Sequence, residues 1–132
     1  MDPRISFVTL GVKDLVRSTR FYNDILGLKI HKSYSEVTFF EMGKTWLALY
    51  PADLLAADAG VSKEGSGFSR FAMAHNVRSP EEVDTLIRTA AAGGGSVVKP
   101  GHKTSWGGYS GYFADPDGFL WEVAWNPDFP HV

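Results

Sequence analysis

The succession of one strand, one helix and three further strands is predicted twice along this chain of 132 residues. In the first copy, residues 5–12 are β-branched and apolar, as is typical of a strand, and Asp14 follows as a candidate helix N-cap. Apolar side chains then recur at helical spacing as far as Gly27, a residue type that commonly ends helices. Three more strands complete the first copy, at residues 28–34, 37–42 and 46–50.

The second copy begins after a segment of different composition. Residues 51–67 are rich in Ala, Asp and Gly, and we interpret them as a linker with one short helix around Asp53 to Ala59. Beyond the linker, Ser79 is a candidate N-cap, Pro80 suits the first helical position, and two acidic residues follow. The strands of this copy are predicted at residues 68–77, 96–99, 109–114 and 119–125, with an Asp-Pro-Asp-Gly turn before the last.

A unit of about 60 residues is too long for a solenoid repeat and too short for two comfortable domains. We therefore predict an α+β fold of two βαβββ units within one domain that spans residues 1–132. The first unit covers 1–50 and the second 68–126, with 51–67 between them. Two four-stranded sheets share a core, and each carries a helix on its outer face. When the two units are aligned, residues 46–50 correspond to 121–125, since each segment begins with Trp.

Composition excludes several classes of protein. The chain has no cysteine, so disulfide frameworks and thiolate chemistry are excluded. The net charge is −2 and no basic stripe is present, so we expect no nucleic-acid partner. No apolar run approaches the roughly 20 residues of a membrane span. The N-terminus does not resemble a signal peptide, and a cytoplasmic protein without a membrane partner is the expectation.

Three sequence segments resemble the vicinal oxygen chelate superfamily, which includes glyoxalases, bleomycin-resistance proteins and extradiol dioxygenases. They are the strand at 8–15, the "FY…LGL" helix end at 21–28 and the turn and strand at 115–122. The resemblance implies two βαβββ units whose curved, half-open mixed sheet surrounds a cavity. It is a poor guide to the reaction, because one fold hosts many sites.

The resemblance also implies where a metal would be held. In metal-dependent members, the first and last strands of each unit each supply one ligand, which is His, Gln or Glu. The matching positions here are Phe7, the window 46–48, Ala72 and Glu122, of which only Glu122 offers a donor. About three protein ligands are needed to hold Zn²⁺, Fe²⁺, Mn²⁺ or Ni²⁺. We therefore expect no cofactor, and a divalent metal is the disfavoured alternative.

Alternation of side chains along strands gives the expected lining of the cavity. It is small, apolar and aromatic with one acid: Phe7, Thr9, Trp46 or Leu47, Ala48, Ala72, Ala74 and Glu122. Such a surface suits a small planar or hydrophobic ligand. Glu122 is either a structural remnant bonded to a neighbouring donor or a catalytic group that acts as a general base. It could also anchor a cationic ligand.

Two further sets of residues lie near the expected cavity. The Gly-rich segment at 102–110 is expected to overhang the open side of the cavity, with His102, Trp106 and Tyr109 as ligand-binding candidates. The alternative is a hairpin connection in which Trp106 caps the core. By the same alternation, we interpret His75 as a semi-buried packing residue beneath the helix.

Three functions remain open. The first is a protein of the bleomycin-resistance kind that binds a flat or hydrophobic small molecule without chemistry. The second is a lyase, isomerase or dioxygenase relative that uses Glu122 as a metal ligand, or in acid–base work with His102 or Tyr109. The third is a domain for assembly: the family's fold commonly pairs across sheet edges, so a homodimer is the expected partner arrangement and the cavity could lie between two chains.

Overall fold

The computed structural model describes residues 1–128 of the chain. Contacts between residues divide it into two compact units, Met1–Ser66 and Gly67–Val132. Each unit has its own four-stranded mixed sheet, in which the first strand is parallel to the last. The predicted α+β fold of two βαβββ units is confirmed.

The sheet of the first unit has the strand order β1-β4-β3-β2. Asp14 begins the helix as predicted, because its side chain accepts a hydrogen bond of 3.0 Å from the backbone N–H of Arg17. The helix ends in a π-helical turn, and Gly27 follows with a φ of 73°. The elements are β1 (Phe7–Val12), α1 (Leu15–Arg20), the π-helical turn (Phe21–Ile25), β2 (Ile30–Ser33), β3 (Thr38–Phe40) and β4 (Trp46–Pro51).

One face of this sheet is covered by α1 and the turn that follows it. The hydroxyl oxygens of Thr19 in α1 and Thr38 in β3 lie 2.9 Å apart and connect the helix to the sheet. Full burial of a large apolar side chain contributes about 1.5–3 kcal/mol, so this face holds most of the stabilising contacts of the unit. Its buried apolar side chains are Leu10, Val12, Phe21, Tyr22, Phe40, Leu47 and Leu49.

The predicted linker contains the short helix α2 (Ala52–Ala59), which follows β4 directly. It lies against Gly11 of β1, where an added Cβ would come within 3.2 Å of the Ala52 backbone and 3.3 Å of Leu55. Gly11 shares the strand face of Phe7 rather than that of the buried Leu10. The helix α2 therefore borders one end of the sheet face that α1 leaves uncovered.

The sheet of the second unit has the strand order β5-β8-β7-β6. Its helix packs on β6, β7 and β8, and Gly111 of β7 permits close packing, since an added Cβ would lie 2.6 Å from Ile87 and 2.7 Å from the carbonyl oxygen of Lys99. The elements are β5 (Ala72–Asn76), α3 (Pro80–Ala92), β6 (Ser96–Lys103), β7 (Tyr109–Ala114) and β8 (Leu120–Trp125).

Reciprocal hydrogen bonds cap the N-terminus of α3. The Ser79 hydroxyl accepts from the backbone N–H of Glu82 at 3.2 Å, and the Glu82 carboxylate accepts from the backbone N–H of Arg78 at 3.0 Å. Pro80 occupies the first helical position, as predicted. The helix then presents Val83, Ile87 and Ala90 to the sheet, where all three are buried.

Two strand limits differ from the prediction by four residues, and the other limits differ by two or fewer. Strand β5 begins at Ala72 rather than at residue 68, and β6 continues to Lys103 rather than ending at Lys99. Pro100 and Gly101 look like strand breakers in the sequence. They are tolerated because β6 is an edge strand with an irregular register between Lys99 and His102.

The match of residues 46–50 with 121–125 is wrong by one residue. Counted from the first strands of the two units, Ala48 and Glu122 occupy equivalent places. Trp46 lies on the open sheet face, whereas Trp121 is buried on the face that packs against the helix. Because strand side chains alternate, a slip of one residue reverses the face of every side chain.

Candidate functional site

The sheet face of the first unit that α1 leaves uncovered carries four of the predicted lining residues. Phe7 and Thr9 are exposed, Phe7 to 49%. The register places Trp46 beside Phe7 and Ala48 beside Thr9, and Ala48 is buried beneath the neighbouring side chains. Leu47, the alternative to Trp46, points to the opposite face and is buried in the core.

Aromatic rings pack edge to face across this open face. The ring centroid of Phe7 lies 6.0 Å from that of Trp46 and 5.7 Å from that of Phe39, and Tyr34 lies 6.3 Å from Phe39. Phe39 was not predicted as a lining residue. It is half-buried between the buried Thr38 and Phe40 of β3, and this alternation places its side chain on the open face. Edge-to-face aromatic groups of this kind offer planar ligands a surface for stacking.

A polar group adjoins the aromatic rings. The Nδ1 atom of His31 lies 2.9 Å from Oε1 of Glu41, and Lys29 Nζ lies 3.6 Å from the other oxygen, Oε2. The imidazole also packs on Trp46, with ring centroids 4.3 Å apart. The hydrogen bond from His31 and the charge of Lys29 lower the pKa of Glu41 below its ordinary value. In the sequence, His31 is an ordinary strand position, because its partner lies ten residues away, directly after β3.

The open face of the second unit carries the other strand residues of the predicted lining. The register aligns Ala72 with Leu120 and Ala74 with Glu122, so both alanines share a face with the acid. Tyr112 of β7 pairs with Glu122 from the other side. Burial, the negative charge of Glu122 and a hydrogen bond to it raise the pKa of Tyr112. Tyr112 is therefore the neighbour of Glu122 that the sequence did not identify.

The prediction that Tyr109 overhangs the open face is wrong. Its hydroxyl donates to the carboxylate of Asp84 in α3, with oxygen–oxygen distances of 3.1 and 3.2 Å, so the side chain points to the helix side of the sheet. Burial and the Asp84 carboxylate raise the pKa of this phenol. Tyr109 instead lines a cavity of about 290 Å³ with Lys103 and Trp125.

His102 and Trp106 lie at and beyond the end of β6. His102 pairs with Ser110, which shares the face of Glu122, and its ring nitrogen Nδ1 lies 3.2 Å from the carbonyl oxygen of Pro100. Trp106 is 46% exposed, and its ring lies over Gly108, where an added Cβ would overlap it. His102 therefore lies on the same sheet face as Glu122, whereas Trp106 packs within its own hairpin loop.

The expectation of a semi-buried His75 is wrong. Its register partner Val123 is fully buried, but His75 itself is exposed. The reason is that β5 is the edge strand of its sheet, and α3 packs on β6, β7 and β8.

The residues at the expected ligand positions do not fit a metal of the kind named above. With the corrected register, these positions are Phe7, Ala48, Ala72 and Glu122, and three of them have no donor atom in the side chain. Within residues 1–128, no three His, Asp or Glu side chains are grouped so that they could hold a metal ion. One carboxylate falls short of the roughly three protein ligands that such ions need.

The fold and the open sheet faces define a protein built from paired βαβββ units, and comparison with known proteins identifies the family. The family model for the Glyoxalase/Bleomycin resistance protein/Dioxygenase superfamily matches residues 4–123. This chain belongs to that superfamily.

Individual relatives share the fold over nearly the whole chain. The crystal structure of a glyoxalase-related enzyme from Fulvimarina pelagi is 38% identical, with a TM-score of 0.90, and the match covers 97% of this chain and 91% of that chain. Lactoylglutathione lyase GLX1 of Arabidopsis thaliana is 28% identical over 128 residues, which are 91% of this chain but 43% of the plant protein. Glutathione transferase FosA of Serratia marcescens is 26% identical over 119 residues, covering 90% and 78% of the two chains.

The chain therefore spans less than half the length of the plant lyase that it matches. Among the helices of residues 1–128, none is long and apolar enough to cross a membrane.

Proposed function

We propose that this protein binds a small planar, hydrophobic or aromatic ligand on an open sheet face without a metal ion. The observation that carries the proposal is that three of the four expected metal-ligand positions hold apolar side chains, beside the aromatic cluster of Phe7, Tyr34, Phe39 and Trp46. Phe7 stands at one such position and packs against both Phe39 and Trp46. A site that lacks donor atoms for a metal and presents aromatic rings favours stacking over chelation.

The exposure of these rings also supports the proposal. Phe7 leaves half of its surface uncovered in a protein with enough buried apolar side chains to form a core. Grouped, exposed aromatic residues commonly mark binding surfaces. Only a few polar groups are needed to orient a ligand held this way.

An enzymatic function is the second candidate, and the Tyr112–Glu122 pair favours it. A phenol that donates to a carboxylate can pass a proton to or from a bound substrate. In this form of the proposal, Glu122 acts as general base, and Tyr112 rather than Tyr109 is its partner in acid–base work. Loss of turnover in a Glu122→Gln variant, with ligand affinity retained, would favour the enzyme over the binding protein.

The experiment for the binding function is isothermal titration calorimetry with a naphthoate probe and a Phe39→Ala variant. Loss of an edge-to-face ring and its area should weaken binding about tenfold. The control is Phe71→Ala, because Phe71 is an exposed ring outside the cluster. Equal affinity of the Phe39→Ala variant and the unaltered protein would overturn the proposal.

We also propose that the protein is a homodimer. Both sheets end in strands with a free edge in the described part of the chain, and such edges can pair with another copy. Gel filtration with light scattering should give the mass of two chains, and a monomer at micromolar concentration would contradict it.

A further inference from the structure

The hydrogen bond between His31 and Glu41 fixes which atom of the imidazole is free. An ionised carboxylate only accepts hydrogen bonds, so Nδ1 of His31 carries the proton that is donated to Glu41. The lowered pKa of Glu41 keeps it ionised at neutral pH. The other nitrogen, Nε2, has no hydrogen-bond partner in residues 1–128 and is the atom that can meet a ligand.

The position of this imidazole links it to the aromatic cluster. The ring packs on Trp46, which in turn packs on Phe7. A planar molecule stacked on these rings would therefore bring its substituents to the edge where His31 stands. The pair contributes little to folding, because both side chains are well exposed, at 44% and 39%, and exposed ion pairs are weak.

The charges around the imidazole determine the kind of substituent. Lys29 offsets the charge of Glu41 at 3.6 Å, and Lys32 lies over the Tyr34 ring, 4.9 Å from its centroid. The rim of the cluster therefore does not repel an anion. Because Nδ1 donates to Glu41, Nε2 of the neutral imidazole can only accept a hydrogen bond. An un-ionised acidic O–H donates to Nε2 directly, and an ionised acid binds with the uptake of one proton, which makes Nε2 the donor.

From this geometry we propose that His31 is the polar anchor of the site, and that Glu41 is the positioning residue that orients it. The ligand is then a planar aromatic molecule that carries an acidic oxygen, such as a carboxylic acid or a phenol. This inference rests on the proposed binding function and names the class of ligand.

The test compares naphthoate with its uncharged methyl ester by calorimetry at one neutral pH. A hydrogen bond to a charged group is worth about tenfold or more in affinity, so the unaltered protein should prefer the acid over the ester by about that factor. The His31→Leu variant has no hydrogen-bonding group in the side chain, so it should lose this preference while it binds the ester as before. The control is His75→Leu, which removes an exposed imidazole elsewhere and should leave the preference unchanged.

The Glu41→Ala variant separates orientation from simple charge. If Glu41 acted only through its charge, its removal would strengthen binding of the anion. Because it orients His31, we expect the preference for the acid to fall instead. An acid preference that survives in His31→Leu, or that rises in Glu41→Ala, would overturn the inference and leave the binding function standing. If neither probe binds the unaltered protein, both proposals fail.

Discussion

At the scale of single residues, the pairing of Tyr112 with Glu122 defines the chemistry of the second unit's open face. Three causes raise the pKa of Tyr112: burial, then the charge of Glu122, then the hydrogen bond between them. All three disfavour the phenolate. Their order predicts how the phenol responds when the acid is neutralised.

In a Glu122→Gln variant, we expect the pKa of Tyr112 to fall toward the ordinary value of 10.0 but to stay above it, because burial remains. Carbon-13 NMR titration of labelled tyrosine measures this. Tyr109 serves as the internal control, because its pKa is raised by burial and by Asp84 and not by Glu122. A Tyr112 pKa that does not move would show that the pair does not interact.

The sequence could assign faces only where neighbouring residues alternated clearly. Phe7, Ala72 and Glu122 lie on the strand faces that alternation predicts, because each lies on a short, regular strand. Tyr109 was misplaced because the sequence did not show that Asp84, on a helix 25 residues earlier, holds its hydroxyl. The partnership of His31 with Glu41 depends on the register of two strands, which sequence alone does not fix.

At the scale of secondary-structure elements, the N-terminus of α3 was the most predictable feature. Its signals are local: Ser79 and Glu82 are three residues apart, and their side chains bond to nearby backbone groups. Strand β6 was the least predictable, because an edge strand tolerates the Pro100-Gly101 pair that would break a central one. Predictability thus followed how local the deciding contacts were.

Replacement of the cap should have a measurable cost. We expect Ser79→Ala to lower the free energy of unfolding by about 1 kcal/mol, because the backbone N–H of Glu82 loses its partner. Ser79→Thr keeps the hydroxyl and should retain most of the stability. Urea unfolding followed by circular dichroism measures both variants. If the two variants are equally stable, the hydroxyl does not cap the helix.

Acidic residues in the first turn add a dependence on pH. The backbone and the Ser79 hydroxyl lower the pKa of Glu81 below its ordinary value of 4.5. A lowered folded pKa stabilises the protein above the unfolded value, and this contribution is lost as the pH falls through the folded value. Urea unfolding midpoints should therefore decrease from pH 6 toward pH 3, and less so in a Glu81→Gln variant; an equal decrease in both would contradict this role.

At the scale of the whole molecule, the duplicated βαβββ pattern was sufficient to predict the fold, and family membership agrees with it. Function does not follow in the same way, because one fold carries many sites. In our proposal, the residues at four positions distinguish this chain from a metal-binding member of the family. Phe7, Ala48 and Ala72 offer no donor, and Glu122 lies beside Tyr112 in the strand register.

Ligand binding is proposed to need no metal ion, and metal analysis combined with calorimetry can decide this. The purified protein is dialysed against Zn²⁺, Fe²⁺, Mn²⁺ and Ni²⁺ in turn and analysed by plasma mass spectrometry, and naphthoate affinity is measured with and without a chelator. We expect no stoichiometric metal and the same affinity in both conditions. One metal ion per chain that disappears in Glu122→Gln, together with loss of binding in the chelator, would contradict it.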